Sequence, residues 1–136
     1  MKGQSSVEFL AIIGMAMILA APFIVQAQDS AINLRLGTEA AEFSSSFDDL
    51  GGAIDAVAAM GEPAKRTVRL DVPQGIESAT VVSNQALVYT QSRGDRSSNY
   101  TSIHDVNLYA GDLPTERGSY EIEVEAWNNQ VNLTRK

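Results

Sequence analysis

The feature that most constrains this chain is an apolar run near its start. From Phe9 to Val25 there is no charged residue, and at 1.5 Å per residue a helix of that length spans most of a bilayer's hydrocarbon core. A single carboxylate, Glu8, stands at the entrance of the run, after the short leader Met1-Lys2-Gly3. An acidic side chain deep in a membrane helix costs about 2.5–3.5 kcal/mol, less near the interface. A chain that keeps one there implies a partner for it.

The motif around that carboxylate is Gln4, Ser6 and Glu8 at every second position, with Ile12 four residues on. It resembles the class III signal peptide of archaeal type IV pilin precursors, Gln-x-Ser-x-Glu followed by an apolar residue, usually Leu. The resemblance implies that a prepilin peptidase cuts between Gly3 and Gln4, so that residues 1–3 are a leader and Gln4 becomes the mature N-terminus. It further implies that Glu8 neutralises the terminal ammonium of a neighbouring subunit. It implies a homo-oligomeric helical filament, built by an assembly ATPase and a membrane platform protein from precursors held in the membrane. The filament would stand on the cell surface and serve adhesion. Residues 4–28 would form its core, with Gln4, Glu8, Phe9, Leu10, Ile12, Ile13 and Phe23 as assembly residues.

Two other readings fit the same N-terminus. Lys2, the apolar run and Val25-Gln26-Ala27 could constitute a secretory signal, or the run could be a plain single-span anchor. Either would give a β-domain binding protein that does not polymerise.

Pro22 lies inside the run, removes one helical hydrogen bond and predicts a kink near Ala20 and Ala21. Past Gln28 the helical period continues in amphipathic form. Ile32, Leu36, Ala40, Phe43, Phe47, Leu50, Ile54 and Val57 make one stripe, with Glu42, Ser46 and Asp49 expected to fall away from it. The pattern predicts one helix from Ser5 to about Met60, fraying or bending at Gly51-Gly52, since glycine costs about 1 kcal/mol relative to alanine. Residues 29–62 would continue the spine, and Pro63 would end it.

Residues 63–136 switch to period two and predict six short strands. Lys65–Val72, Ile76–Val82 and Ala86–Gln91 come first, then Ser102–Tyr109, a strand beginning near Tyr120, and Val131–Thr134. Ser92–Tyr100 is expected to be an exposed loop, and Asn128-Asn129 a turn. The expected fold class is α+β: a long N-terminal helix packed on a small antiparallel β-sandwich-like head. The turn phrasing of this half also resembles, weakly, the head of archaeal pilins.

Net charge is -7, and the acidity is concentrated: residues 29–62 carry seven acids against one base, Arg35. No basic footprint for phosphates exists, so nucleic acid is not an expected partner. With no cysteine there is neither a disulfide framework nor a thiolate metal site. His104 is the only histidine and is expected to be an ordinary strand or loop residue, so no metal, cofactor or catalytic set is expected. Glu121, Glu123 and Glu125 share a strand face and read as solvated charges. Arg93-Gly94-Asp95 reads as a turn. Asn99 and Asn132 both head glycosylation sequons, Asn99 being the better exposed candidate.

Overall fold

The computed structural model describes residues 2–136, leaving Met1, the first residue of the expected leader, outside the described residues. One helix, α1 (Lys2–Met60), precedes seven strands: β1 (Lys65–Val72), β2 (Ile76–Val82), β3 (Ala86–Arg93), β4 (Arg96–Ile103), β5 (Asn107–Ala110), β6 (Gly118–Trp127) and β7 (Gln130–Arg135). The fold is α+β: a long N-terminal helix, apolar in its first half, whose stretch from Phe43 to Val57 packs on a small, mostly antiparallel β head. Two units are distinguishable, one through Thr38 and one from Glu39 onward.

Within the described residues the helix is already formed at Lys2, three residues ahead of Ser5, and Gly3 only lowers propensity there. Pro22 lies inside it. Likewise Gly51 and Gly52 lie within the helix, which extends beyond them to Met60. The Gly61 N–H then bonds the Val57 carbonyl with Gly61 at φ +71°, and a cis Glu62–Pro63 bond follows.

The head has a four-stranded sheet in the order β1-β6-β7-β5 and a three-stranded sheet in the order β2-β3-β4. All pairings are antiparallel except β5 with β7. There are seven strands and not six. The polar stretch Ser92–Tyr100 is not a loop but the tip and second arm of the β3–β4 hairpin, turning at Gly94 and Asp95. Its serines, Asn99 and Tyr100 carry no alternation of apolar residues, so period two was hidden. The expected strand Ser102–Tyr109 is split between β4 and β5 for the converse reason: Asp105 interrupts an otherwise apolar pattern. The Asn128-Asn129 turn is as expected, with both residues at positive φ (51° and 61°) as a two-residue type I′ hairpin requires.

Between helix and sheets sits one core. Phe43, Phe47, Leu50, Ile54 and Val57 are buried from α1, Leu70 and Val72 from β1, Leu87 and Tyr89 from β3. Ile122, Val124 and Ala126 come from β6, and Val131 and Leu133 from β7. Phe43 anchors an aromatic cluster, its ring 4.7 Å from Tyr100 edge-on and 5.4 Å from Tyr89. Such pairs contribute about 0.5–1.5 kcal/mol each beyond area burial. Tyr89 is wholly enclosed, and burial pushes its phenol pKa well up.

Two expectations about the stripe are corrected. Ile32 remains 56 % exposed, so continuous burial begins only at Phe43. Ser46, expected to point outward, is buried; its Oγ donates to the Phe43 carbonyl and accepts from the Asp71 N–H, each at 3.1 Å. It lies three residues after Phe43 and four before Leu50, which is the buried face. Polarity suggested solvent, but helical position governs, and the hydroxyl is satisfied by tying α1 to β1.

The two adjacent glycines differ in what surrounds them. A Cβ on Gly51 would come within 2.8 Å of Ser102 Oγ, whereas one on Gly52 meets nothing within 4 Å. Gly52→Ala should therefore gain about 1 kcal/mol from helix propensity, while Gly51→Ala should gain nothing or lose stability. Urea unfolding of the detergent-solubilised chain, read by Trp127 fluorescence and circular dichroism, checks the contrast; equal gains would contradict the close approach at Gly51.

Candidate functional site

The first unit exposes what a water-soluble domain would bury. The expected assembly residues Phe9, Leu10, Ile12 and Phe23 are 64–72 % exposed, and Ile13 is 41 % exposed. Met15, Met17, Ile18, Leu19 and Ile24 are exposed with them. These positions fall on every side of the helix, so no single docking face could cover them. The helix is long and apolar enough to cross a membrane. It is compatible with a membrane anchor.

Gly3, Gln4 and Glu8 are exposed in the opening turns of the same helix. Gln4 and Glu8 are four residues apart and share one face, as do Glu8 and Ile12. The carboxylate thus stands one turn from the residue expected to carry the mature ammonium, at the polar end of an otherwise uncharged surface. Fully burying each large apolar side chain here from water is worth about 1.5–3 kcal/mol.

On the head, Asn99 is exposed on β4, an edge strand of its sheet, whereas Asn132 is half-buried with its Oδ1 accepting from Gln130 Nε2 at 3.2 Å. Gly94 sits in the hairpin turn at φ +58° beside a half-buried Arg93, so the Arg93-Gly94-Asp95 stretch is part of a folded hairpin. The row Glu121, Glu123, Glu125 is not simply solvated. Lys65 Nζ lies 2.9 Å from Glu125 and 3.8 Å from Glu123, and Lys136 Nζ lies 3.9 Å from Glu123. The Glu125 hydrogen bond and charge raise the Lys65 pKa. Sequence alternation found the glutamates but not the lysines that β1 and the C-terminus bring to them.

Asp71 gathers a hydrogen bond from the Ser119 hydroxyl and another from Arg69 Nε at 3.0 Å. These hold its carboxyl below the usual 3.8, the Ser119 bond contributing most. Because the folded pKa is depressed, this contribution is present above pH 3.8 and is lost as pH falls through the folded value. Asp71→Asn should flatten the acid limb of a stability-versus-pH curve and leave its neutral-to-alkaline shape unchanged, as measured by urea midpoints; an unchanged acid limb would contradict the assignment.

His104, expected to be an ordinary strand or loop residue, is buried between two partners. It is 3 % exposed, with Nδ1 at 2.6 Å from Asp55 Oδ1 and Nε2 at 2.8 Å from Ser102 Oγ. Ser102 and His104 could be placed together by period two, but Asp55 is brought to them only by the packing of α1 on β4. The order hydroxyl, imidazole, carboxylate is that of a nucleophile relay. Acyl transfer also requires space about 3 Å from the hydroxyl for the reacting carbon. The adjoining cleft is lined by Asp55, Ala58, Ile103, His104, Asp105 and Val106, Ser102 is not among its walls, and Gly51 closes on Ser102 Oγ. The arrangement satisfies a buried imidazole while fastening edge strand β4 to the helix. His104→Ala should cost about 1–3 kcal/mol in urea unfolding; an unchanged midpoint would contradict a fastening role.

Among the described residues, no three His, Asp or Glu side chains converge in a way that could hold a metal ion. Comparison with protein-family models, with characterised proteins and with solved structures found no match to this chain.

Proposed function

We propose that the chain is a pilin, a structural subunit of an archaeal type IV pilus. The single observation that carries the reading is a helix apolar on all sides through residues 9–25, with Glu8 one turn from Gln4, joined in one chain to a head that closes its core with residues from Glu39 onward. A head that needs nothing from the apolar helix frees that helix to pack against other copies. In this reading a prepilin peptidase cuts between Gly3 and Gln4, and the precursor waits in the cytoplasmic membrane. An assembly ATPase and its platform protein then move it into a surface filament used for adhesion, with Asn99 the favoured glycan carrier. Neither a cofactor nor a catalytic residue is needed for this role.

Leaving lipid gives the helix no large hydrophobic gain, since lipid tails are already apolar. Packing and polar pairing must drive association. Glu8 is then decisive: paired with a neighbour's terminal ammonium, it is screened far less than in water. Removing one partner of a buried pair costs about 3–5 kcal/mol.

The experiment is electron microscopy of filaments sheared from cells expressing the wild-type chain or Glu8→Ala. The reading predicts filaments from the wild type and membrane-retained subunits with folded heads from the variant. Wild-type cells without filaments containing this chain, or filaments undiminished by Glu8→Ala, would overturn it.

A further inference from the structure

Two apolar surfaces lie outside residues 4–28, and both stand open. The first is on α1 beyond Asp29, where Leu34 is 73 % exposed. Ala31, three residues before it, shares its face, and Arg35, four after Ala31, borders that face about 100° round the helix from Leu34. Asp29, Ser30 and Asn33 intervene around them, so this segment, unlike Phe9–Val25, is not suited to lipid. Arg35 is the only base between residues 29 and 62.

The second surface is on the head, where α1 ends. Two clefts of about 270 Å³ and 520 Å³ adjoin along Ala58 and Val106, which line both. Trp127, 55 % exposed, stands on the wall of one, and Ile103, 76 % exposed, on the wall of the other. Glu62 rims the first, Asp55 and Asp105 the second. The groove is of mixed polarity, with an apolar strip of Ile103, Val106, Ala58 and Trp127 bordered by three carboxylates, and that combination is complementary to an apolar ridge that carries a cation. Among the described residues beyond the lipid-like run, Ala31, Leu34 and Arg35 offer such a ridge, Leu34 being more exposed than Ile32 on its other flank.

We propose that this groove is the seat for the Ala31–Arg35 segment of a second copy of the chain. Leu34 enters between Ile103 and Trp127 over Val106, Ala31 allows the close approach, and Arg35 faces Asp55 and Asp105. Arg35 already has an interaction within its own chain, but a guanidinium carries five N–H donors and can serve two sets of acceptors. Ridge and groove are different patches of one chain, so the contact is heterologous. It repeats from copy to copy instead of closing as a two-fold pair, which is the geometry an open helical polymer requires. The contact rests on the pilus reading above and adds to it a second set of subunit contacts, made outside the filament core. Its charged rim is exposed, so it should weaken with salt as the Debye length shortens.

Since the chain has no cysteine, a disulfide trap tests this directly. Chains carrying Leu34→Cys are co-expressed with differently tagged chains carrying Ile103→Cys, and the sheared filaments are oxidised and run on a non-reducing gel. Both positions are exposed, so the substitutions leave the core alone. The expected result is a disulfide-linked dimer carrying both tags, lost when Asp105→Lys accompanies Ile103→Cys, and absent when Leu34→Cys is paired with Ser97→Cys at the hairpin end of β4. Filaments without the dimer, or dimers formed equally with Ser97→Cys, overturn this contact while leaving the pilus reading intact. Wild-type cells that make no filament overturn both.

Discussion

The structure depends on one division of labour along a single helix. From Phe43 to Val57, α1 buries its stripe against two sheets, and without that stripe neither sheet has a lid. Before it, the same helix buries almost nothing, leaving Phe9, Leu10, Ile12 and Phe23 open on all sides. So much uncovered apolar surface is costly in water, and the helix is long and apolar enough to cross a membrane. The unit from Glu39 onward closes a core of its own, while the N-terminal unit leaves its apolar side chains exposed.

The seam between helix and head is polar as well as apolar. Ser46 spans from α1 to the Asp71 N–H, and Asp55 reaches His104, which in turn holds Ser102 against Gly51. Ser46 and His104 are buried, Ser102 is half-buried and Asp55 is exposed, and each has a partner, which fixes one docking of helix on sheets where a greasy stripe alone would tolerate sliding. The glycine at position 51 belongs to this seam, because it permits the hydroxyl's approach. Gly52, facing open space, plays no such part.

Much of this was legible in the residues. The uncharged run, the 3.6-residue stripe from Phe43, the Pro63 stop, the alternation of Ile122, Val124 and Ala126, and the Asn128-Asn129 turn are local signals, and local signals survive without a partner. What was not legible depended on distant pairing. The β4 strand is built of serines, an asparagine and one tyrosine, and exists because β3 is beside it. Ser46 looked like a solvent residue because its acceptor and donor belong to different elements. His104 looked solitary because Asp55 is forty-nine positions away in sequence. Lys65 and Lys136 met the glutamate row only through strand register and the chain's return. In the N-terminal unit the positions of Gln4 and Glu8 on one face followed from spacing alone.

The measurement that tests the central claim most directly is the intact mass and N-terminal sequence of the protein isolated from its native cell surface. A mature chain beginning at Gln4 is the predicted result, since it would place a free ammonium one helical turn from Glu8. A chain beginning at Gln28, stripped of its apolar helix, or one still beginning at Met1, would contradict assembly through that helix.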